Sequence, residues 1–178
     1  QATDPELFQG GVSNIPESEI YGAEVELSTF VTDSMILDAN LSWIETEITA
    51  DHFALDNVQS DIATNALLAQ GVNQFSDQVQ IARAAEITNV KGNELAKTPN
   101  FTANLALTWE GYVENWGELS NSLQYVYRGD FKHRMFNNPL TDMVPDYEVL
   151  DFVLGFTPQS NNDLRFELVA KNLTDEDG

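Results

Sequence analysis

Hydrophobic residues recur at every second position in several stretches of the chain. In the stretch 21–28, apolar side chains at the odd positions alternate with glycine, glutamate and serine. A period of two is the pattern of a β-strand with one apolar and one polar face. The stretch 37–43 repeats the alternation after a turn at 32–34, so these two stretches predict a β-hairpin.

Four further stretches predict strands, and the lengths of the connections between them indicate the architecture. The additional strands cover 101–109, 118–128, 147–157 and 164–171. The turns at 32–34, 110–117 and 158–163 are short, whereas the connections at 49–98 and 129–146 are long. Short turns on one side and long loops on the other are typical of a bacterial outer-membrane barrel, with the short turns in the periplasm. We therefore predict an all-β fold, an antiparallel transmembrane β-barrel fragment of about six strands.

A soluble β-sandwich is the alternative fold. It would have similar strands, but the apolar face of each sheet would have to pack against another sheet. The charged side chains of the alternating strands suit a water-filled lumen and the solvent face of a sandwich equally well. This alternative would make the protein a soluble acidic module for binding or adhesion.

The long connection at 49–98 contains two alanine-rich stretches. Residues 62–70 and 79–86 are compatible with short helices, because alanine has the highest helix propensity. A loop of this length without structure of its own is uncommon in a compact domain. We therefore predict helical structure within the loop.

Composition excludes several classes of function. The chain has 29 acidic and 8 basic residues, a net charge of -21, which would repel a nucleic-acid backbone. It has no cysteine, and therefore no disulfide or thiolate metal site. No apolar run approaches the roughly 20 residues of a membrane helix, although a barrel strand needs only about 10 residues. With 42% hydrophobic residues the chain is expected to fold.

The charged residues give seven candidates for ligand contact. Glu24 and Glu26 lie on one strand face and would line a lumen, which we favour over a catalytic carboxylate pair. The others lie in the long loops or at their edges: His52, Arg128, Lys132, His133 and Arg134. The basic group at 128–134 would attract an anionic ligand, or it would anchor a strand end at the membrane interface. For the histidines, solvated loop residues are the alternative.

No pattern in the sequence indicates catalysis, a cofactor or a metal centre. Asp51, Asp56 and Asp61 recur at five-residue spacing, which lacks the ligand spacing and the turn glycine of a calcium loop. We therefore expect that the protein is not an enzyme. A barrel instead carries aromatic girdles where its outer face meets the membrane interfaces, and Trp43, Trp109, Tyr125 and Tyr127 are the candidates for them. Core packing in a sandwich is their alternative role.

Five sequence blocks, taken in order, resemble the C-terminal barrel region of TonB-dependent outer-membrane receptors. These receptors hold an N-terminal plug inside a barrel of about 22 strands. The blocks cover nearly the whole chain: Ile20–Leu27, Gly92–Phe101, Tyr125–Gly129, Pro145–Asp151 and Lys171–Glu176. In the last block, Asn172-Leu173-Thr174-Asp175 resembles the segment that precedes the final strand in this family.

The resemblance implies a function, partners and a location. It implies a receptor in the bacterial outer membrane for TonB-coupled uptake of a scarce ligand, a ferric siderophore or another iron complex being the commonest kind. The implied partners are the TonB complex, reached through an N-terminal segment outside this chain, a small extracellular ligand and outer-membrane lipid. The plug and the last strand, with its terminal aromatic residue, are not found in the sequence. Residues 1–178 are therefore expected to be a partial barrel domain.

Overall fold

The structure, a computed structural model, describes residues 14–176. Within this range lie ten strands and two helices. In chain order they are β1 (Ser18–Thr32), β2 (Met35–Ile48), β3 (Phe53–Leu55), α1 (Asn57–Ala69), α2 (Asp77–Ala85), β4 (Ile87–Asn89), β5 (Phe101–Val113), β6 (Gly117–Arg128), β7 (Phe131–Lys132), β8 (Met143–Val144), β9 (Tyr147–Pro158) and β10 (Phe166–Ala170). No helix of this part of the chain is long and apolar enough to cross a membrane.

Six long strands form one sheet in the order β1-β2-β5-β6-β9-β10. Each strand lies beside the next long strand of the sequence, and the pairs from β2 to β10 are antiparallel. A two-residue turn at 33–34 joins β1 to β2, a connection that only antiparallel neighbours allow. The structure thus confirms the six predicted strands and their meandering order.

The strand register places the apolar side chains of all six strands on one face. Leu107 lies opposite Leu37 on one side and Leu123 on the other, and Leu123 lies opposite Phe152. We call this side the apolar face, formed by the odd positions of β1, β2, β5 and β6 and the even positions of β9 and β10. The remaining positions form the polar face. A shift of one residue in any pair would mix the two faces, so the alternation itself fixes the register.

The apolar face is largely exposed within the described residues. Leu27, Leu123 and Leu168 keep 46%, 39% and 61% of their surface accessible. The buried hydrophobic residues in this range are Ile48, Val79, Val90 and Ala103, and of these only Ala103 lies in the interior of a long strand. A sandwich requires its apolar face to pack against a second sheet. The described sheet instead exposes a broad hydrophobic surface of the kind that a barrel turns towards lipid.

Residues 14–19 and 47–93 form a compact unit. The unit contains α1 and α2, which pack against each other, and the small β3–β4 hairpin, in which Ala54 lies opposite Thr88. Ile48, Val79 and Val90 are almost fully buried and supply its core. Helices were predicted in this loop and are present. They begin before the predicted positions, α1 because the Asp56 carboxylate accepts hydrogen bonds from the N–H groups of Val58 and Gln59 at its first turn.

The second compact unit holds residues 20–46 and the part of the chain from Glu94 onwards. Several predicted boundaries differ from the structure, and two of the differences have a clear physical reason. The turn predicted at 110–117 contains only residues 114–116, because β5 continues to Val113, which pairs with Gly117. The last strand begins at Phe166 and not at Leu164, because Asn161 holds a turn: its side chain accepts a hydrogen bond from the Asp163 N–H.

Candidate functional site

The two predicted carboxylates of β1 both lie on the polar face. Glu24 and Glu26 are exposed. Glu26 borders a shallow depression of about 290 Å³, and Glu24 borders a neighbouring one of about 230 Å³ beside Ser42. That they line a water-filled lumen stays a prediction. Contact of these two residues with a ligand stays a prediction.

The larger depression is formed by four adjacent strands. Its polar lining comes from the polar face of β1, β2, β5 and β6: Glu26, Ser28, Asp38, Asn40, Asn104 and Gln124. The Ser28 hydroxyl donates a hydrogen bond of 2.6 Å to Oδ1 of Asp38. A carboxylate can accept hydrogen bonds from a polar molecule, and a side-chain amide can both donate and accept them. The alternation predicted that these residues lie on the polar face, but only the strand register shows that they lie side by side there.

An arginine crosses three strands at the other end of the polar face. Arg165 pairs with Glu167 at 2.9 Å and donates a hydrogen bond of 3.3 Å to the hydroxyl of Ser120 on β6. Its path runs over Gly155 of β9, where a Cβ atom would lie 2.7 Å from the guanidinium. Glycine at this position therefore leaves space for the arginine. No pattern in the sequence indicated this contact, because it joins residues 45 positions apart.

Arg128 is engaged within its own loop. Its guanidinium donates a hydrogen bond of 3.1 Å to the carbonyl of Pro145 and lies over the rings of Phe131 and Tyr147, at 4.9 and 5.5 Å from their centroids. These contacts connect the two ends of the loop 129–146. Both roles predicted for Arg128, attraction of an anionic ligand and anchoring at the membrane interface, stay predictions.

Arg134 pairs with a fully buried carboxylate that sequence reasoning missed. Its Nη2 forms an ion pair with Asp142, and its Nε donates a hydrogen bond of 2.7 Å to the same oxygen. The Asn138 N–H donates to the second oxygen at 3.0 Å. Burial alone would raise the pKa of Asp142, but the hydrogen bonds from Asn138 and Arg134 outweigh it and hold this pKa below its usual range. The positive charge of Arg134 is therefore neutralised inside the loop.

The remaining loop candidates lie in different places. The Nζ of Lys132 is 3.4 Å from the sulfur of Met143, and Nδ1 of His133 is 3.2 Å from the carbonyl oxygen of Asp142. His52 lies in the other compact unit, where its backbone N–H donates to the side chain of Asn89. Lys132, His133 and Arg134 thus lie in the loop 129–146, and Arg128 is the last residue of β6 beside it.

Aromatic residues lie at both ends of the apolar face. At one end Tyr21 makes an edge contact with Trp43 at 5.9 Å, and its hydroxyl donates a hydrogen bond of 2.6 Å to Glu45. The Tyr125 hydroxyl bonds Glu148 in the same way, also at 2.6 Å. Trp109 lies towards the short-turn end of the sheet, on β5. This arrangement suits girdles at two membrane interfaces.

The Asn172-Leu173-Thr174-Asp175 segment forms a turn that folds back onto the start of β9. Asn172 adopts a positive φ of 53°, and its amide oxygen accepts a hydrogen bond of 3.0 Å from the Glu176 N–H. The Leu173 N–H donates to the carbonyl of Leu150 at 2.8 Å. Asparagine tolerates this left-handed backbone conformation better than most residues, which accounts for its place in the segment.

No group of three or more histidine, aspartate or glutamate side chains within residues 14–176 is arranged to hold a metal ion. Polar groups converge at three places in the described residues: the carboxylates and amides of the depression, the buried Arg134–Asp142 pair, and Arg165 with Glu167 and Ser120. The first is open to a ligand in water. The second is a structural contact that stabilises a loop.

The sheet and its two faces define a class of protein: a segment of a transmembrane β-barrel, with its apolar face towards lipid and its polar face towards a lumen. The family model described as TonB dependent receptor-like, beta-barrel matches residues 1–173. The chain belongs to this family, whose members reside in the bacterial outer membrane. No curated protein matches the sequence.

A solved structure shares the fold. The ferric yersiniabactin uptake receptor FyuA from Yersinia pestis superimposes with a TM-score of 0.58 at 16% sequence identity. The match covers 89% of this chain and 18% of the receptor. The chain therefore spans under a fifth of the length of that barrel protein, and the six-stranded sheet is an open portion of a barrel.

Proposed function

We propose that this chain is part of a receptor that imports a small extracellular ligand through the outer membrane, with energy supplied through TonB. The observation that carries the proposal is the sheet itself, whose exposed apolar face and polar opposite face suit a lipid-facing wall around a water-filled lumen. Membership of the TonB-dependent receptor family supports the coupling to TonB. Ligand import rather than catalysis is part of the same proposal.

We further propose that the ligand is a ferric siderophore or another iron complex. The support is a likeness of fold to a receptor for ferric yersiniabactin, together with His52, Lys132 and His133 of the long loops. These loops are extracellular in the family topology, and the ligand would meet them before the lumen. Haem, cobalamin, oligosaccharides and peptides are the competing ligands.

Uptake by cells tests both parts of the proposal. Cells that express the full-length protein should accumulate radioactive iron from a ferric siderophore, and deletion of either the receptor gene or the tonB gene should abolish the uptake. Uptake that persists without TonB would overturn the coupling. If iron uptake does not depend on the receptor while uptake of cobalamin or an oligosaccharide does, the iron complex is wrong and the transport function stands.

Two substitutions in the depression test whether the polar face contacts the ligand. We expect Glu26→Gln combined with Asp38→Asn to change the KM of uptake severalfold, because two charges would leave the wall that the ligand passes. The matched control is Glu114→Gln, which removes an exposed charge from the short turn between β5 and β6. An equal KM in both variants would show that the depression is not on the ligand's path.

The soluble β-sandwich that the sequence left open has lost its support. Its apolar face would be buried, whereas Phe166 on that face is among the exposed large hydrophobic residues of the sheet. A sandwich module would also not belong to this receptor family.

A further inference from the structure

The loop 129–146 carries an internal network of hydrogen bonds centred on Asp142. The side chain of Asp142 is fully buried. Its Oδ1 accepts hydrogen bonds from Nε of Arg134 at 2.7 Å and from the Thr141 hydroxyl at 3.0 Å, while Oδ2 accepts the Asn138 N–H at 3.0 Å. The carboxylate thus connects Arg134, Asn138 and Thr141, which lie in the first part, the tip and the last part of the loop.

The backbone of Asp142 closes the loop a second time. Its N–H donates to the carbonyl of Asn138 at 2.8 Å, and its own carbonyl accepts the His133 N–H at 2.8 Å. Two contacts also fasten the loop to the segment before β5: the Asn137 amide donates to the Glu94 carbonyl at 3.0 Å, and the Lys97 N–H donates to the Lys132 carbonyl at 2.7 Å.

A buried charged pair is stable only when both members and their hydrogen-bonding partners are in place. Removing one member leaves a buried charge without compensation, and the structure around it opens. Both carboxylate oxygens of Asp142 accept hydrogen bonds from residues of the loop itself. The loop should therefore keep its shape before a ligand arrives.

We infer that Asp142 makes the loop 129–146 a rigid, preformed arm and withholds Arg134 from any ligand. The exposed groups at the loop tip are then the ones available for contact, such as Leu140, which is 92% exposed. An extracellular loop of this kind acts as a fixed wall of the entrance and not as a lid that is ordered by the ligand. The inference concerns loop stability and does not depend on which ligand is imported.

Trypsin added to whole cells tests the inference, because Lys132 and Arg134 lie inside the loop and are cleaved only when it opens. With fast opening and closing, the cleavage rate follows the population of the open loop. In the full-length protein, Asp142→Asn should raise the rate of cleavage after Lys132 or Arg134, identified by mass spectrometry, by roughly a hundredfold. Asp130→Asn is the matched control, because it removes an exposed carboxylate from the same loop.

Heat-modifiable migration of the barrel shows that the variants are folded. If Asp142→Asn does not reach the outer membrane, Thr141→Val provides a milder change. It removes the hydroxyl that donates to Asp142 and accepts from Nη2 of Arg134, and it should raise cleavage about tenfold. Cleavage no faster than that of Asp130→Asn would overturn the inference, as would a wild-type loop that trypsin cuts as fast as an unfolded peptide. Siderophore uptake can fail or succeed independently of this result.

Discussion

The six-stranded sheet and the compact unit at 47–93 differ in where they place their hydrophobic side chains. The unit buries Ile48, Val79 and Val90 within itself, as a small domain does in water. The sheet leaves its leucines and aromatic residues exposed on the apolar face. The difference indicates two environments for one chain. The loop unit buries its hydrophobic residues in a core of its own, whereas the apolar face of the sheet is suited to contact with membrane lipid.

The largest effect should come from a charge on the apolar face. We expect Leu123→Arg, in the middle of β6, to destabilise the barrel by up to about 4 kcal/mol, because the guanidinium would lie in the hydrocarbon layer. Unfolding by guanidinium chloride in lipid vesicles measures the change. Ser122→Arg is the matched control on the polar face and should cost less than about 1 kcal/mol. Equal costs for the two neighbours would break the assignment of the faces.

The core of the loop unit should respond next. We expect Ile48→Ala to destabilise the unit by about 3 kcal/mol, because it removes buried methylene groups and leaves a cavity. Hydrogen exchange of residues 53–89 should rise, while the heat-modifiable migration of the barrel stays unchanged. Ile81→Ala, at a side chain that is 70% exposed, should change exchange by less than about 0.5 kcal/mol. If Ile48→Ala also weakened the barrel, the two regions would not be separate.

The start of α1 offers a smaller test of the same unit. Asp56→Ala removes the carboxylate that accepts the N–H groups of Val58 and Gln59, and we expect a loss of about 1 kcal/mol. Exchange of the amides in the first turn of α1 measures it. Asp56→Asn keeps an acceptor and should recover most of the loss, whereas Asp61→Ala, at an exposed position in α1, should have no effect. A loss in Asp61→Ala as large as in Asp56→Ala would refute the capping role.

The smallest predicted effect is that of a moderate fall in pH, from neutral to about pH 5, on the stability of the loop 129–146. The folded-state pKa of Asp142 is lowered, so the carboxylate stabilises the loop above its unfolded pKa and this contribution is lost as the pH falls through the folded value. Arg134 stays charged throughout, and His133 is the other titratable side chain beside Asp142. Protection of the loop should therefore persist at about pH 5 and fail only in stronger acid. The rate of pepsin cleavage below about pH 5, with Asp142→Asn as the reference, would measure the loss of loop stability. A wild-type loop that already opens at about pH 5 would contradict the prediction.

Much of the sheet was predictable because a period of two determines both a strand and its two faces. The alternation at 21–28 and 37–43 indicated the apolar and polar sides of β1 and β2, and the lengths of the connections indicated a barrel. Boundaries were harder to predict where a strand continues into a segment that resembles a turn, as between Glu110 and Val113. There the cross-strand pairing, and not the local sequence, decides where the turn begins.

The candidate sites were predictable only in part. The sequence predicted that Glu24 and Glu26 lie on the polar face and that the basic residues at 128–134 lie close together in or beside one loop. It did not reveal that Arg134 is paired with Asp142, because that contact needs the loop to fold back on itself. Nor did it reveal that Arg165 crosses Gly155 to reach Ser120.

The sequence by itself determined the strands, their faces and the family, because alternation and ordered motifs are local properties of the chain. Only the tertiary structure decided which polar groups converge in the depression and which charges are neutralised. Those contacts depend on the register between strands and on the folding of loops, which bring together residues that are distant along the chain. The segment from Asn172 to Asp175 illustrates both: its residues indicated the family, and the fold showed that it forms a turn fastened to the start of β9.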